Sequence, residues 1–273
     1  MAQQSTFECT QEKDHLPLLD PLADAWYREA VGLAKTDTIK PWGHIIALYN
    51  KAIERGHWKA MHNLAELYRT GWPGSIEKDS QKAISLYQLM INDGIPQGFY
   101  DMGAMIGNGS GIKNIATDGL NYLIKAAQLG NPSALTELGK TYIFEANQDA
   151  LGLQYYQCAA RQGYSEANNR LGSYYENVAS NFPLALRYYQ IAVSQGNARA
   201  ALTLTQVFKD NSPPHKALWY TPDEAQHMLY RSLRNQLIKD PDLRFSTLMK
   251  DHPLPPHPTQ GYDADRPGWK PEQ

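Results

Sequence analysis

Small and apolar residues recur behind five glycines of this chain, at the same distances each time. The fourth residue after each glycine is Ala or Gly, the eighth is Leu or Met, the ninth is Ala, Gly or Thr, and the twelfth is aromatic or Ile. Steps of four residues stay on one face of an α-helix, so the pattern predicts an amphipathic helix after each glycine. The five glycines are Gly56, Gly94, Gly130, Gly163 and Gly196.

A second helix is predicted before each glycine. In most units a Tyr stands seven residues and an Ala four residues ahead of it, as Tyr49 and Ala52 do before Gly56. These two residues are spaced to form a buried stripe, and the glycine suits the positive φ of a helix C-cap. The glycines recur every 33 to 38 residues, which is the period of a two-helix repeat. The sequence therefore predicts an all-α fold of helix-turn-helix repeats.

Cap residues indicate where several helices begin. Short polar side chains accept hydrogen bonds from the exposed amides of a first turn, and proline is tolerated there because it has no amide to satisfy. We expect helix starts at Asp20-Pro21, at Asp79 or Ser80, at Thr117 or Asp118, at Ser180 or Asn181 with Pro183 behind them, and at Thr221 to Glu224.

The ends of the array differ from its middle, as the ends of repeat arrays must in order to show a polar face to water. Six of the 17 prolines fall in the last 23 residues, which favours an extended conformation there. We expect an N-terminal arm at 1–19, a capping helix at 20–42, repeats at 43–209, C-terminal capping helices at 210–250 and a Pro-rich tail at 251–273.

The repeats resemble a known family. Ala134, Leu138, Gly139 and Tyr142, followed by Tyr156-x-x-Ala159-Ala160-x-x-Gly163, are similar to the Sel-like repeat, a relative of the tetratricopeptide repeat. The resemblance covers about residues 43–209. It implies a right-handed α/α superhelix, or solenoid, that holds a protein partner on its concave side, and it implies no chemistry.

The tail is similar to that of a narrower group. His252-Pro-Leu-Pro-Pro256, Gly261-Tyr262-Asp263 and Gly268-Trp269 resemble the ends of Sel-like proteins of Gram-negative bacteria that serve as periplasmic immunity partners of type VI secretion phospholipase effectors. This resemblance implies an exported protein that blocks a toxic phospholipase. The alternative is a general protein-protein interaction scaffold or adaptor in the bacterial envelope or in signalling.

Charge and hydropathy narrow the range of partners. The formal charge of -2 and the pI near 6.4 give no basic excess, so nucleic acid and anionic membrane surfaces are not favoured. No apolar run approaches the roughly 18 residues of a membrane span. The start at Met1 lacks a basic and an apolar signal region. Two locations stay open, the cytoplasm and, for the mature part of an exported protein, the periplasm.

Catalytic and cofactor motifs are absent from the sequence, so we expect no enzyme, cofactor or metal. The run Gly107 to Gly111 lacks the Gly-Lys-Ser/Thr ending of a phosphate loop, and we interpret it as an interhelical loop. No Gly-x-Ser-x-Gly or His-Glu-x-x-His occurs. Cys9 and Cys158 are too few for a disulfide scaffold; two unpaired thiols are favoured, with a single bridge as the alternative.

A candidate partner-binding surface follows from the resemblance, in which the first helix of each unit lines the inner groove. The residues beside each buried stripe mix charged groups, amides, hydroxyls and a tyrosine, which suits a specific protein interface; a merely solvated face is the alternative. These residues are Lys59, His62, Glu66, Arg69, Tyr100, Asp101, Thr136, Glu137, Lys140, Asn169, Arg170, Ser173, Arg199 and Gln206.

Overall fold

The structure is a computed structural model that describes residues 7–36, 39–107, 115–209 and 222–255. Within these ranges a 3₁₀ helix at Glu12–His15 precedes a succession of α-helices. The α-helices are α1 (Pro21–Ala34), α2 (Trp42–Ile53), α3 (Trp58–Thr70), α4 (Ser80–Asn92), α5 (Pro96–Gly107), α6 (Ile115–Gln128), α7 (Pro132–Phe144), α8 (Asp149–Arg161), α9 (Ser165–Asn177), α10 (Phe182–Ser194), α11 (Ala198–Val207), α12 (Glu224–Lys239) and α13 (Leu248–Asp251).

Extended structure in the described residues is limited to one isolated bridge between Trp72 and Ile76. The predicted all-α fold of helix-turn-helix repeats is therefore confirmed. The chain divides into two compact units, Met1–Leu138 and Gly139–Gln273, each with its own hydrophobic clusters.

Every repeat turn uses its glycine in the left-handed conformation, as predicted. Gly56 has a φ of 74°. Its amide donates to the Ile53 carbonyl (2.9 Å), and the next amide, that of His57, donates to the Ala52 carbonyl (3.1 Å). This paired bond closes the end of α2 and satisfies carbonyls that a helix terminus leaves exposed. The same pattern recurs at Gly94, Gly130, Gly163 and Gly196, whose φ values lie between 72° and 92°.

In three turns the residue after the glycine also begins the next helix. His57 Nδ1 accepts from the amide of Ala60 (3.1 Å), and Asn131 and Asn197 accept in the same way from Ala134 and Ala200, both at 2.9 Å. One residue thus donates its backbone amide to the old helix and caps the new one with its side chain. This double use leaves little freedom in the angle between the two helices.

Most predicted helix starts are confirmed. The N-caps Asp20, Asp79, Asn181 and Asp223 each accept a hydrogen bond from a first-turn amide. The start expected at Thr117 or Asp118 is wrong, because α6 begins at Ile115. Polar residues are favourable inside a first turn as well as at the cap, so the sequence pattern does not separate the two positions.

Tyrosines of the second helices pack directly on small residues of the first. In the second unit, a Cβ placed on Gly139 would lie 2.6 Å from Cδ1 of Tyr156, and one on Gly172 would lie 2.7 Å from Cδ1 of Tyr189. Both tyrosines are buried. The small residues nine positions after the repeat glycines are therefore needed for close helix approach, as expected from ridges-into-grooves packing.

The N-terminal arm is anchored to the first unit. Thr10 Oγ1 donates to the carbonyl of Gln128 (2.9 Å), and Asn131 Nδ2 donates to Glu12 Oε1 (2.7 Å). Leu16 packs on a small apolar cluster that includes Met61 and Ile95. The arm therefore lies against residues that follow it by more than a hundred positions.

Both cysteines, Cys9 and Cys158, are disulfide-bonded, so the favoured interpretation as unpaired thiols is wrong. No local spacing signals a pair whose members lie so far apart in sequence. At the other end of the chain, Leu254 packs on the apolar cluster of the second unit. The tail motifs beyond Pro255, and the glycine-rich run after Gly107, lie outside the described residues.

Replacing Gly139 with Leu should lower the free energy of unfolding by roughly 1 to 3 kcal/mol, because the added side chain overlaps the Tyr156 ring. Gly32→Ala is the control, since a Cβ there meets nothing within 4 Å in an exposed helix position. Gly32→Ala should raise the free energy of unfolding by about 0.5 to 1 kcal/mol. Chemical denaturation measures both; equal stability of Gly139→Leu and the wild type would contradict the packing.

Candidate partner-binding surface

Charged side chains of α3 form a tight cluster with the tyrosine of α4 in the first unit. Arg69 donates through Nε to both carboxylate oxygens of Glu66 (2.9 and 3.1 Å) and through Nη2 to Oε2 (2.6 Å). Tyr87 donates its hydroxyl hydrogen to Glu66 Oε1 at 2.6 Å. Because Tyr87 is buried in the repeat core, it fixes the carboxylate, and the carboxylate in turn fixes the guanidinium.

A second cluster lies beside it, between α3 and α5. His62 Nδ1 lies 2.6 Å from Oδ2 of Asp101, and Gln97 Nε2 donates to the other carboxylate oxygen at 2.7 Å. Asn131 links Gln97 Oε1 (3.1 Å) with Glu12 of the N-terminal arm. The network thus connects the arm, α5 and the turn before α7.

The protonation states follow from these contacts. Burial acts to lower the pKa of His62, but the hydrogen bond to Asp101 and the charges of Asp101 and Glu66 outweigh it, so this pKa lies above its usual value. Burial acts to raise the pKa of Glu66, and the hydrogen bonds from Arg69 and Tyr87 reverse that shift. Burial raises the pKa of Glu12; the bond from Asn131 opposes the shift and the charge of Asp101 adds to it.

The two clusters line a recess of about 290 Å³ in the first unit. Among its lining residues Tyr87, Asp101 and Met105 are buried, and the others are half-buried. The lining residues are His62, Glu66, Arg69, Tyr87, Gln97, Tyr100, Asp101, Ala104 and Met105.

The second unit has a polar surface of its own on α9. Arg170 Nε lies 2.8 Å from Glu166 Oε1, one helical turn away. The other carboxylate oxygen accepts from Asn197 (3.1 Å) and lies 3.4 Å from Asn169 Nδ2. Glu166 thus connects the start of α9 with the cap of α11 and orients Arg170.

The structure sorts the sequence-predicted surface residues by exposure. Asp101, Thr136 and Asn169 are buried, so they support the surface from behind rather than present their side chains to a partner. This corrects their predicted placement. The Thr136 hydroxyl, for example, donates to the Pro132 carbonyl (2.7 Å). Exposed or half-buried are Lys59, His62, Glu66, Arg69, Tyr100, Glu137, Lys140, Arg170, Ser173, Arg199 and Gln206.

The recess joins five of the predicted residues, His62, Glu66, Arg69, Tyr100 and Asp101, in one place. Sequence reasoning missed Gln97 and Glu166, which hold these clusters together. Both stand three residues after a repeat glycine, the offset that singled out Lys59, so the repeat alignment contained the signal. Tyr87 was assigned to the core only.

In the described ranges, no group of three or more His, Cys, Asp or Glu residues could hold a metal ion. In the same ranges, no helix is both long and apolar enough to cross a membrane. What the polar clusters offer is a set of fixed hydrogen-bonding groups for recognition.

Comparison with known proteins gives a consistent result. The Sel1 repeat family model matches residues 58–95, 100–131, 132–164 and 165–197. The solved structure of immunity protein Pa5087 from Pseudomonas aeruginosa is 64% identical, with a TM-score of 0.86, over 96% of this chain and 100% of that chain. Immunity protein PA5088 from the same organism is 63% identical, with a TM-score of 0.86, over 96% and 99%.

A more distant structure, a Sel1 repeat protein from Oxalobacter formigenes, is 20% identical with a TM-score of 0.58, over 78% of this chain and 87% of that chain. At that distance the likeness shows the fold alone. Comparison with curated proteins finds no match. The resemblance to Sel-like repeat proteins and to immunity proteins is confirmed by the closer matches.

The His62–Asp101 pair should make stability depend on pH. Since the pKa of His62 is raised in the folded state, its contribution is fully present below the unfolded value of about 6.5 and is lost as pH rises through the folded value. The difference in unfolding free energy between wild type and His62→Gln should therefore be largest below about pH 6.5 and shrink as the pH rises above that value. Urea unfolding at several pH values measures it, and a constant difference would contradict the assignment.

Proposed function

We propose that this chain, which belongs to the Sel1 repeat family, is a non-catalytic immunity protein that binds and neutralises a type VI secretion phospholipase effector. The observation that carries the proposal is the near-complete length over which the chain matches two immunity proteins. The phospholipase nature of the partner rests on the resemblance of the Pro-rich tail.

The polar surfaces of both units suit this role. An inhibitor that acts by binding needs groups held in one arrangement before the partner arrives, because ordering side chains on binding costs about 0.5 to 1.5 kcal/mol each. Arg69 is held by hydrogen bonds from Nε and Nη2 to the carboxylate of Glu66, and Arg170 is held by its ion pair with Glu166. Pre-ordered arginines of this kind are frequent anchors of protein interfaces.

The periplasm is the proposed location. Both cysteines are disulfide-bonded, and disulfides persist in oxidising compartments such as the bacterial periplasm but are rare in the cytosol. An immunity protein also has to be present where the toxin acts on its lipid substrate.

The function is tested by recovering the partner from the native organism with the tagged chain as bait and identifying it by mass spectrometry. A phospholipase whose lipid hydrolysis falls to background at one equivalent of the chain would support the proposal. Export of the chain should also protect cells in which the enzyme is directed to the periplasm. Recovery of envelope or signalling components with no toxic activity would favour the scaffold instead.

Charge reversal at Arg170 should weaken the complex. Arg170→Glu would face Glu166 and remove a candidate anchor, and we expect a loss of about 2 kcal/mol, roughly thirtyfold in Kd. The matched control is Arg187→Glu on α10, an equally charged change at an exposed position in the second helix of the unit. Calorimetry measures the affinity and circular dichroism the folding. Equal affinity of the two folded variants would place the interface elsewhere.

Location in the periplasm leads to a separate prediction about the oxidation state of the two cysteines. Protein isolated from its own cells, denatured and treated with iodoacetamide before any reduction, should carry no alkylated cysteine at Cys9 or Cys158. After reduction both should be modified. Mass spectrometry of the periplasmic and cytosolic fractions gives the answer, and freely alkylated cysteines in a cytosolic protein would contradict export.

A further inference from the structure

We propose that the recess of the first unit receives a single carboxylate side chain, an Asp or Glu of the protein partner, on Arg69 and His62. This inference rests on the proposed function, since it names the chemistry by which that partner is recognised. The inference goes beyond the proposed function because it assigns one site on this chain and one ligand group on the partner.

The acceptors in the recess are already used. Both oxygens of Asp101 have partners, Gln97 on one and His62 on the other. The oxygens of Glu66 are held by Arg69 and Tyr87. An incoming lysine or arginine would therefore have to compete with short, charge-assisted hydrogen bonds inside the protein.

Donors remain. Arg69 uses Nε and Nη2 on Glu66 and also has a side-chain hydrogen bond with Tyr87, and within the described part of the chain no acceptor lies on its Nη1. His62 uses Nδ1 on Asp101, and its Nε2 likewise has no protein partner there. In the charged imidazolium both ring nitrogens donate, and the contacts of His62 favour that form. Two unfilled donors in one recess are suited to a carboxylate.

Exposure also favours an anion. The side chain of Asp101 is only 5% exposed, whereas those of His62, Glu66 and Arg69 are 30%, 34% and 40% exposed. A group that enters the recess therefore meets two cationic side chains and one carboxylate, whose oxygens are already bonded to Arg69 and Tyr87.

The size of the recess limits the ligand. A volume of about 290 Å³ holds one amino-acid side chain and excludes a phospholipid or a folded peptide. Met105 and Ala104 supply apolar lining for the methylene groups of an Asp or Glu side chain. The ligand is thus a side chain that projects from a protein surface.

The experiment measures affinity for the purified effector by calorimetry. Arg69→Gln removes the free donor and should raise Kd by tenfold to a hundredfold. Arg55→Gln is the matched control, because Arg55 also pairs with a carboxylate of the first unit, Asp20 at 2.7 Å, but lies outside the recess. Its Kd should stay within twofold of the wild type. His62→Gln should also weaken binding and should remove the loss of affinity with rising pH that is expected for the wild type.

A double-mutant cycle then identifies the ligand group. Each interface Asp or Glu of the effector is changed to its amide, and the resulting loss of affinity is measured. For one of these residues, that loss should disappear when the chain carries Arg69→Gln. Arg69→Lys, which keeps the charge, should show an intermediate Kd and serves if Arg69→Gln fails to fold. Wild-type affinity in folded Arg69 variants, or coupling of an effector Lys or Arg to Glu66→Gln, would overturn the carboxylate site. A wild-type chain that binds no effector would instead overturn the proposed function.

Discussion

The repeat turn depends on two backbone hydrogen bonds that a left-handed glycine allows. At Gly56 the chain reverses within two residues, because the His57 amide reaches back to the Ala52 carbonyl while the His57 ring caps the following helix. A residue with a Cβ would be strained at a φ of 74°. With the turn so fixed, the alanine four residues before the glycine and the one four residues after it are both buried. The packing of the two helices in each repeat therefore depends on the hydrogen bonds of this turn.

The same constraint explains why so much of the fold could be predicted from sequence. The stripes of small residues, Leu and Tyr are local patterns, and each was repeated often enough to reveal its spacing. The repeat spacing places Gly139 and Gly172 on the predicted apolar faces of their helices, and the rings of Tyr156 and Tyr189 pack there. The start of α6 was misplaced because a cap and a first turn accept the same residue types. The cysteines were misjudged because their state depends on tertiary structure.

The candidate site was predictable as a set of positions but not as a set of contacts. Offsets from the glycines selected His62 and Asp101, yet nothing local indicates that two residues 39 positions apart form a 2.6 Å pair. The pairing arises because two successive first helices stand side by side, which brings neighbouring offsets together: His62 stands six residues after Gly56 and Asp101 seven after Gly94. The pairing gives the two residues different roles: Asp101 is a buried support, and His62 lines the recess with a pKa above its usual value.

The N-terminal arm has a consequence for the order in which the chain folds. A repeat closes through contacts only a few tens of residues apart, and such contacts form early and quickly. The arm is different, since Thr10 bonds to Gln128, 118 positions later, and Glu12 to Asn131. During synthesis Thr10 and Glu12 emerge before their binding site, which does not exist until the third repeat turn has formed. These two residues are therefore among the last of the first unit to reach their place, and they stay accessible to chaperones and proteases until then.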